Sequence, residues 1–252
     1  MKKFKGFAAI WAIIGIAVVG FIAVAAYLVI DGNNKATNYN NYDFYSIIEP
    51  TKDNGNIGDH VKGSADAPVL IFEYADLQCS HCARMNTYVN KVVEELDGKL
   101  GVVYRHFLLP YNQNSTAAAS AAEAAGLQGY WKEYVDKLFN EQSEWAYASA
   151  SKRTELFDKY FEEVTDSEGD MEKFNKDLAG ENVSKKISFD MGIGKRLDVS
   201  GTPAFYVDGQ FIDRGNAGQI TVNGKTISWE AGGTVDDFMD LLKDIVAAKL
   251  GE

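Results

Sequence analysis

From Phe7 to Ile30 the chain runs 24 residues without a charge, turns polar until about Lys62, and then takes up the short periodicities of a folded domain. The first stretch is long enough to span a bilayer. Lys2, Lys3 and Lys5 flank its N-terminal end and no comparable basic cluster follows it, so the expectation is a cytoplasmic N-terminus with residues 31–252 outside. A cleaved signal peptide is the alternative, since Ala23-Val24-Ala25 has the small-x-small form of a cleavage site. The apolar run continues through Ala26 to Ile30, which favours a retained anchor. Both readings export the domain. Residues 31–62, rich in Asn, Gly and Asp, read as a flexible tether, leaving 63–252 as the domain.

Within that domain the pattern changes period several times. Val69-Leu70-Ile71-Phe72-Glu73-Tyr74 is an apolar, β-branched run of the kind found in a buried strand, with one charge. Met85, Val89, Val92, Val93 and Leu96 then recur at helical spacing until Asp97-Gly98, and Gly101 to Leu109 reads as a second strand. Strand, helix, strand implies a right-handed parallel unit. Between about 115 and 196 strand signals are absent. An alanine-rich segment is followed by aromatics at helical intervals, of which Trp131, Tyr134, Phe139, Phe157 and Phe161 read as core. Asp208-Gly209 and Asn223-Gly224, each between apolar runs, signal two hairpins, and the pattern leaves open which completes the sheet and what residues 213–233 do. Thr234 reads as the N-cap of a closing helix whose stripe is Phe238, Leu241, Leu242, Ile245, Val246 and Leu250.

Charge narrows the partners. The chain has 25 basic and 36 acidic residues; without the three flanking lysines the exported part carries 22 against 36, a net −14. Nucleic acid is therefore not an expected partner.

The chemistry lies in the only two cysteines, in the run Cys79-Ser80-His81-Cys82. A pair this close is a redox couple or half a metal site. A four-cysteine zinc site is impossible, and His60 and His106 lack finger spacing, so redox is favoured and no metal is expected. Cys79 falls at the start of a helix, where free amides and the helix dipole stabilise a thiolate, while Cys82 lies one turn in. Cys79 is then the exchanging sulfur and Cys82 the resolving one. His81, inside the loop, could add an imidazolium or an N–H; its alternative is an exposed side chain with no electronic role.

With these motifs in place, residues 60–250 resemble a membrane-anchored, DsbA-like thiol-disulfide oxidoreductase of the thioredoxin superfamily. The resemblance rests on the strand Val69 to Tyr74, the Cys79–Cys82 helix start, the helical insertion, Gly201-Thr202-Pro203 before a hairpin, and the closing helix. It implies an α/β thioredoxin-like fold with a helical insertion between the second and third core strands. It also implies that Pro203 is cis beside the sulfurs, that the backbone of Thr202 pairs with an extended substrate, and that Ser80 belongs to the same contact surface. Glu73, six residues before Cys79, occupies the place of the family's buried acid and would relay the proton that Cys82 gains or loses. The chain departs from many members in having Ser80, not proline, after the first cysteine. That dipeptide governs redox poise.

The resemblance points to an oxidase that introduces disulfides into reduced exported proteins, with the Cys79–Cys82 disulfide as its redox centre and no separate cofactor. It implies reoxidation by a membrane partner, quinone-linked or vitamin K epoxide reductase-like. A membrane-tethered reductase or isomerase would use the same motif. A non-catalytic module that holds exported proteins in the groove around Pro203 would not need the thiols at all.

Overall fold

A computed structural model describes residues 37–252, and the compact body runs from Tyr42 to Glu252. The expected membrane-spanning segment lies outside the described residues. Among the described residues no helix is long and apolar enough to cross a membrane.

Five strands form the main sheet: β1 (His60–Gly63), β2 (Val69–Ala75), β3 (Leu100–His106), β4 (Ala204–Val207) and β5 (Gln210–Ile212), in the spatial order β1-β3-β2-β4-β5. β2 and β3 are parallel, joined through helix α1 (Ser80–Glu95); the other pairings are antiparallel. β2 is central and covered on both faces, which is why its sequence is continuously apolar rather than alternating. At the β1–β3 edge the backbones come so close that only glycine fits. A Cβ on Gly101 would lie 2.4 Å from the Ser64 carbonyl oxygen, and one on Gly63 2.5 Å from that of Leu100.

Six helices separate β3 from β4: α2 (Ser115–Gly126), α3 (Trp131–Asn140), α4 (Gln142–Trp145), α5 (Ala150–Val164), α6 (Met171–Leu178) and α7 (Glu181–Arg196). This is an α/β thioredoxin-like architecture with a helical insertion between its second and third core strands, counting β2, β3 and β4 as the expected ones. The small side chains of α2 (Ala118, Ala119, Ala121, Ala122) are fully buried, and Trp131, Tyr134, Phe139, Phe157 and Phe161 are all buried. Phe161 stacks on Phe174 at 4.2 Å between ring centres.

The two Xaa-Gly turns have different fates. Asp208 and Gly209 (φ 47° and 78°) join β4 to β5 and complete the main sheet. Asn223 and Gly224 (φ 48° and 81°) join β6 (Gly218–Val222) to β7 (Lys225–Trp229), a separate two-stranded sheet. Positive φ at both central positions gives the turn whose twist matches paired strands. Residues 213–233 thus have a structural role, since Ile220, Val222 and Ile227 close the core formed by α1, the sheet and α8 (Val235–Leu250). Thr234 caps α8 in a reciprocal box with Asp237.

The expected tether needs correction. From Tyr42 onward the chain is part of the body, and His60–Gly63 is a strand of the sheet. Residues 42–59 form a strap held by buried charge. The Arg105 guanidinium on β3 donates to the carbonyl oxygens of Phe44 (2.6 Å) and Ser46 (2.9 Å) and to the Asp59 carboxylate (2.7 Å). Lys186 reaches the other Asp59 oxygen at 3.1 Å and Asp190 at 2.8 Å. Burial alone would push the Asp59 carboxyl up, but Lys186 and Arg105 outweigh it and hold it below the usual carboxylate range. Asn54 folds the strap on itself, accepting the Thr51 N–H at 2.7 Å and donating to the Glu49 carbonyl at 2.9 Å. A segment stabilised by a partner's charge and by local amide turns has no apolar periodicity to reveal it.

Replacing Arg105 by Leu leaves Asp59 and two strap carbonyls without their main donor in a dry site. The expected loss, read by denaturant unfolding, is about 3–5 kcal/mol. Limited proteolysis should then cut between residues 42 and 59.

Candidate active site

The site begins where β2 ends. Asp76, buried just beyond the strand, accepts hydrogen bonds from the Gln78 N–H (2.8 Å), the Leu109 N–H (2.8 Å), the Asn112 side-chain amide (2.9 Å) and the Ser115 hydroxyl. Its carboxylate is spent on tying the loop after β2 to the segment after β3. That loop delivers Cys79 to the N-cap of α1 in an extended conformation (φ −75°, ψ 121°). The Cys79 carbonyl accepts the Ala83 N–H at 3.0 Å, the first helical bond, which leaves the amides ahead of it directed toward the sulfur.

Both thiols are free. Their environments differ. The Cys79 thiol is held at about 5, first by the hydrogen bond from Cys82, against the opposing effect of its burial, and then by Thr202 and by the N–H groups of Cys82 and His81. Cys82 is fully buried, and burial followed by its proximity to Cys79 pushes its thiol well up. The pair is thus one acidic sulfur at the helix cap, 8% exposed, and one fully enclosed that stays protonated.

The Thr202–Pro203 peptide bond is cis, and the Thr202 carbonyl oxygen lies 3.4 Å from the Cys79 sulfur. The chain positions 202 and 203 therefore meet positions 79–82 across the sheet end. The Thr202 hydroxyl is buried without a partner in the dithiol arrangement; as a donor it favours the thiolate of either sulfur. Ser80 opens α1 on the exposed side. His81 is exposed too, and its contribution to Cys79 comes through its backbone N–H.

Glu73 points inward, 1% exposed, and its charge acts on Cys82. One of its oxygens has no hydrogen-bond partner, and the Lys62 ammonium stands 3.6 Å from that oxygen. Lys62 is itself fully buried, donates to Asn86 at 2.6 Å and lies over the Tyr104 ring. Asn86 is held in turn by Asp136 at 2.8 Å. Sequence reasoning missed Lys62 because it fell in the supposed tether, where a lysine is the least informative residue. His106 and His60 both turn to Glu123, at 2.8 and 2.9 Å, away from the cysteines.

A family model described as thioredoxin matches residues 55–221. The chain belongs to the thioredoxin family. Its curated relatives include the Na(+)/H(+) antiporter NhaA 3 of Salinispora tropica, 33% identical over 156 residues, and an NhaA 1 antiporter of Mycolicibacterium gilvum, 32% over 155. Each match covers 60% of this chain but only 22% and 24% of the antiporter, so the chain spans about a quarter of the length of these relatives. Among solved structures, BdbD from Bacillus subtilis superposes with a TM-score of 0.60 at 17% identity, covering 83% of this chain and 100% of that one. The α-DsbA1 of Wolbachia pipientis gives 0.57 at 22%, covering 77% and 93%. At these identities the likeness is one of fold, a thioredoxin-like fold of the DsbA type.

The two thiols predict a separable titration. Because the folded Cys79 pKa lies below that of a thiol in an unfolded chain, its ionisation stabilises the reduced form fully above the unfolded value, and this stabilisation is lost as pH falls through about 5. The alkylation rate of the reduced protein should follow one group with a midpoint near 5. A thiol titrating like free cysteine would contradict the geometry.

Proposed function

We propose that this chain is an extracytoplasmic thiol-disulfide oxidoreductase that introduces disulfides into reduced exported proteins. The observation that carries the reading is the contrast between the two sulfurs: Cys79 acidic at the helix cap, Cys82 buried and protonated one turn in.

In the oxidised form, a substrate thiolate attacks the Cys79 sulfur. The Cys79–Cys82 bond breaks, a mixed disulfide forms on Cys79, and Cys82 leaves with the electron pair. Cys82 then takes a proton, and the burial of Glu73 close enough to act on it supports a proton relay through that carboxyl. A second substrate thiolate attacks the substrate sulfur of the mixed disulfide, and Cys79 departs as thiolate. Two electrons have moved from substrate to protein. Cys82 competes by attacking the mixed disulfide itself, which returns the substrate reduced. An acidic Cys79 favours the forward outcome because a stable thiolate is the better leaving group and stabilises the reduced protein.

The Thr202 backbone beside Cys79 supports pairing with an extended substrate. Next to it, a cavity of about 580 Å³ lined by Tyr45, Pro203, Tyr206 and Phe211 offers space for an apolar side chain. The charge-free Phe7 to Ile30 supports an N-terminal anchor with this domain outside the cytoplasm. Turnover then draws on a membrane partner, quinone-linked or vitamin K epoxide reductase-like, that removes the two electrons.

In an export-competent cell, Cys82→Ala should accumulate mixed disulfides with exported proteins, and Cys79→Ala should accumulate none. An empty trap contradicts the reading. The Cys79/Cys82 couple, equilibrated with glutathione, should have a potential of about −120 to −180 mV. A value near about −270 mV would assign the chain to the reductases instead.

A further inference from the structure

The helical insertion does more than cover the sheet. Gln142, half-buried at the first position of α4, sends its side-chain amide across to the loop before α1, donating to the Leu77 carbonyl at 2.7 Å and to the Cys79 carbonyl at 3.1 Å. These are the carbonyl oxygens of the two residues that flank Gln78. Gln78 is gripped by the insertion as well: its amide donates to the Ala146 carbonyl at 2.6 Å, and its oxygen accepts the Asn114 N–H at 2.6 Å. The gripping element is itself anchored in the insertion. Trp145, at the other end of α4, is fully buried, donates to the Leu138 carbonyl at 2.8 Å and packs edge-on against Phe157 at 5.5 Å.

Resting on the thiol-exchange reading, we infer that Gln142 is a positioning residue for the nucleophile. It fixes the peptide planes that join Leu77 to Gln78 and Cys79 to Ser80, and so sets how squarely the amides at the start of α1 bear on the Cys79 sulfur. Two physical reasons support this. A carbonyl oxygen carries partial negative charge, and one free to rotate toward a thiolate disfavours it; an amide donor both pins that oxygen and offsets its charge. The N-cap conformation of Cys79 must also be held for the His81 and Cys82 N–H groups to reach the sulfur, and the cysteine side chain makes no capping bond of its own to hold it. The Cys79 carbonyl accepts from both Ala83 and Gln142, so its orientation is fixed from the helix and from the insertion together.

The test uses the full-length chain and Gln142→Leu, which keeps bulk and removes the donor, with Gln142→Glu as a second variant that sets an acceptor against both carbonyls. Three quantities are read: the pH midpoint of Cys79 alkylation, the equilibrium with glutathione, and the thermal midpoint. The expected result for Gln142→Leu is a rise of the alkylation midpoint by about 0.5–1 pH unit, with the glutathione equilibrium moved about three- to tenfold toward the disulfide form. Gln142→Glu should move both further in the same direction. A fall in thermal midpoint with alkylation and glutathione equilibria at the wild-type values would make Gln142 mere glue between insertion and core, and overturn the inference. A wild-type chain whose Cys79 lacks an acidic midpoint and whose couple does not exchange with glutathione would overturn the function itself, a result recognisable without any variant.

Discussion

Two sulfurs one helical turn apart must be kept in opposite protonation states, and most of the fold can be read as the means of doing so. At the cap of α1 the first amides have no partner in the helix, and a thiolate at Cys79 supplies one. One turn deeper there is no water to solvate a charge, so Cys82 keeps its proton. This asymmetry needs a helix whose N-cap lies at the rim of the core and whose third residue lies inside it. A helix that starts just past the end of a central, doubly covered strand provides that. The same constraint explains why Asp76, an acid two residues from the loop's centre, is saturated with donors rather than left to act on the sulfurs.

Elements whose stability comes from apolar periodicity were legible in the sequence. β2, α1, the two Xaa-Gly hairpins, the insertion and the Thr234 cap all stand where hydrophobic spacing and turn chemistry put them. Of the candidate site, the sequence named residues that the fold brings together, Cys79 and Cys82 by spacing, Pro203 and Glu73 by resemblance. What escaped was held by polar contacts between residues far apart in the chain. The strap from Tyr42 to Asp59 depends on Arg105 and Lys186, 46 and 127 residues downstream of Asp59. Lys62 and Gln142 gain their places only when β1 has paired with β3 and α4 has come against the loop before α1. Nothing in the local composition around Lys62 separates it from a solvated lysine. The chemistry of His81 is a different kind of gap, since a backbone N–H is invisible in residue identity.

The insertion and the strap each reach the surroundings of the cysteines. The insertion holds the loop before α1 through Gln142, Gln78 and Asn114, while the strap places Tyr45 against Tyr206 and the glycine of the β4–β5 turn, near the cis peptide. Neither is part of the minimal sheet and helices that carry the dithiol. Both bring side chains of their own to the surroundings of the dithiol.

The origin of Lys62 on β1, ahead of the first core strand, sets a boundary for the protein as a working unit. A domain cut to begin at residue 63 would retain both cysteines, the cis peptide and the acid beneath them, yet would strip that acid of its only nearby ammonium among the described residues. The severed fragment would hold an uncompensated carboxylate under the inner thiol. Its electron-transfer behaviour would then describe the truncation rather than the native molecule.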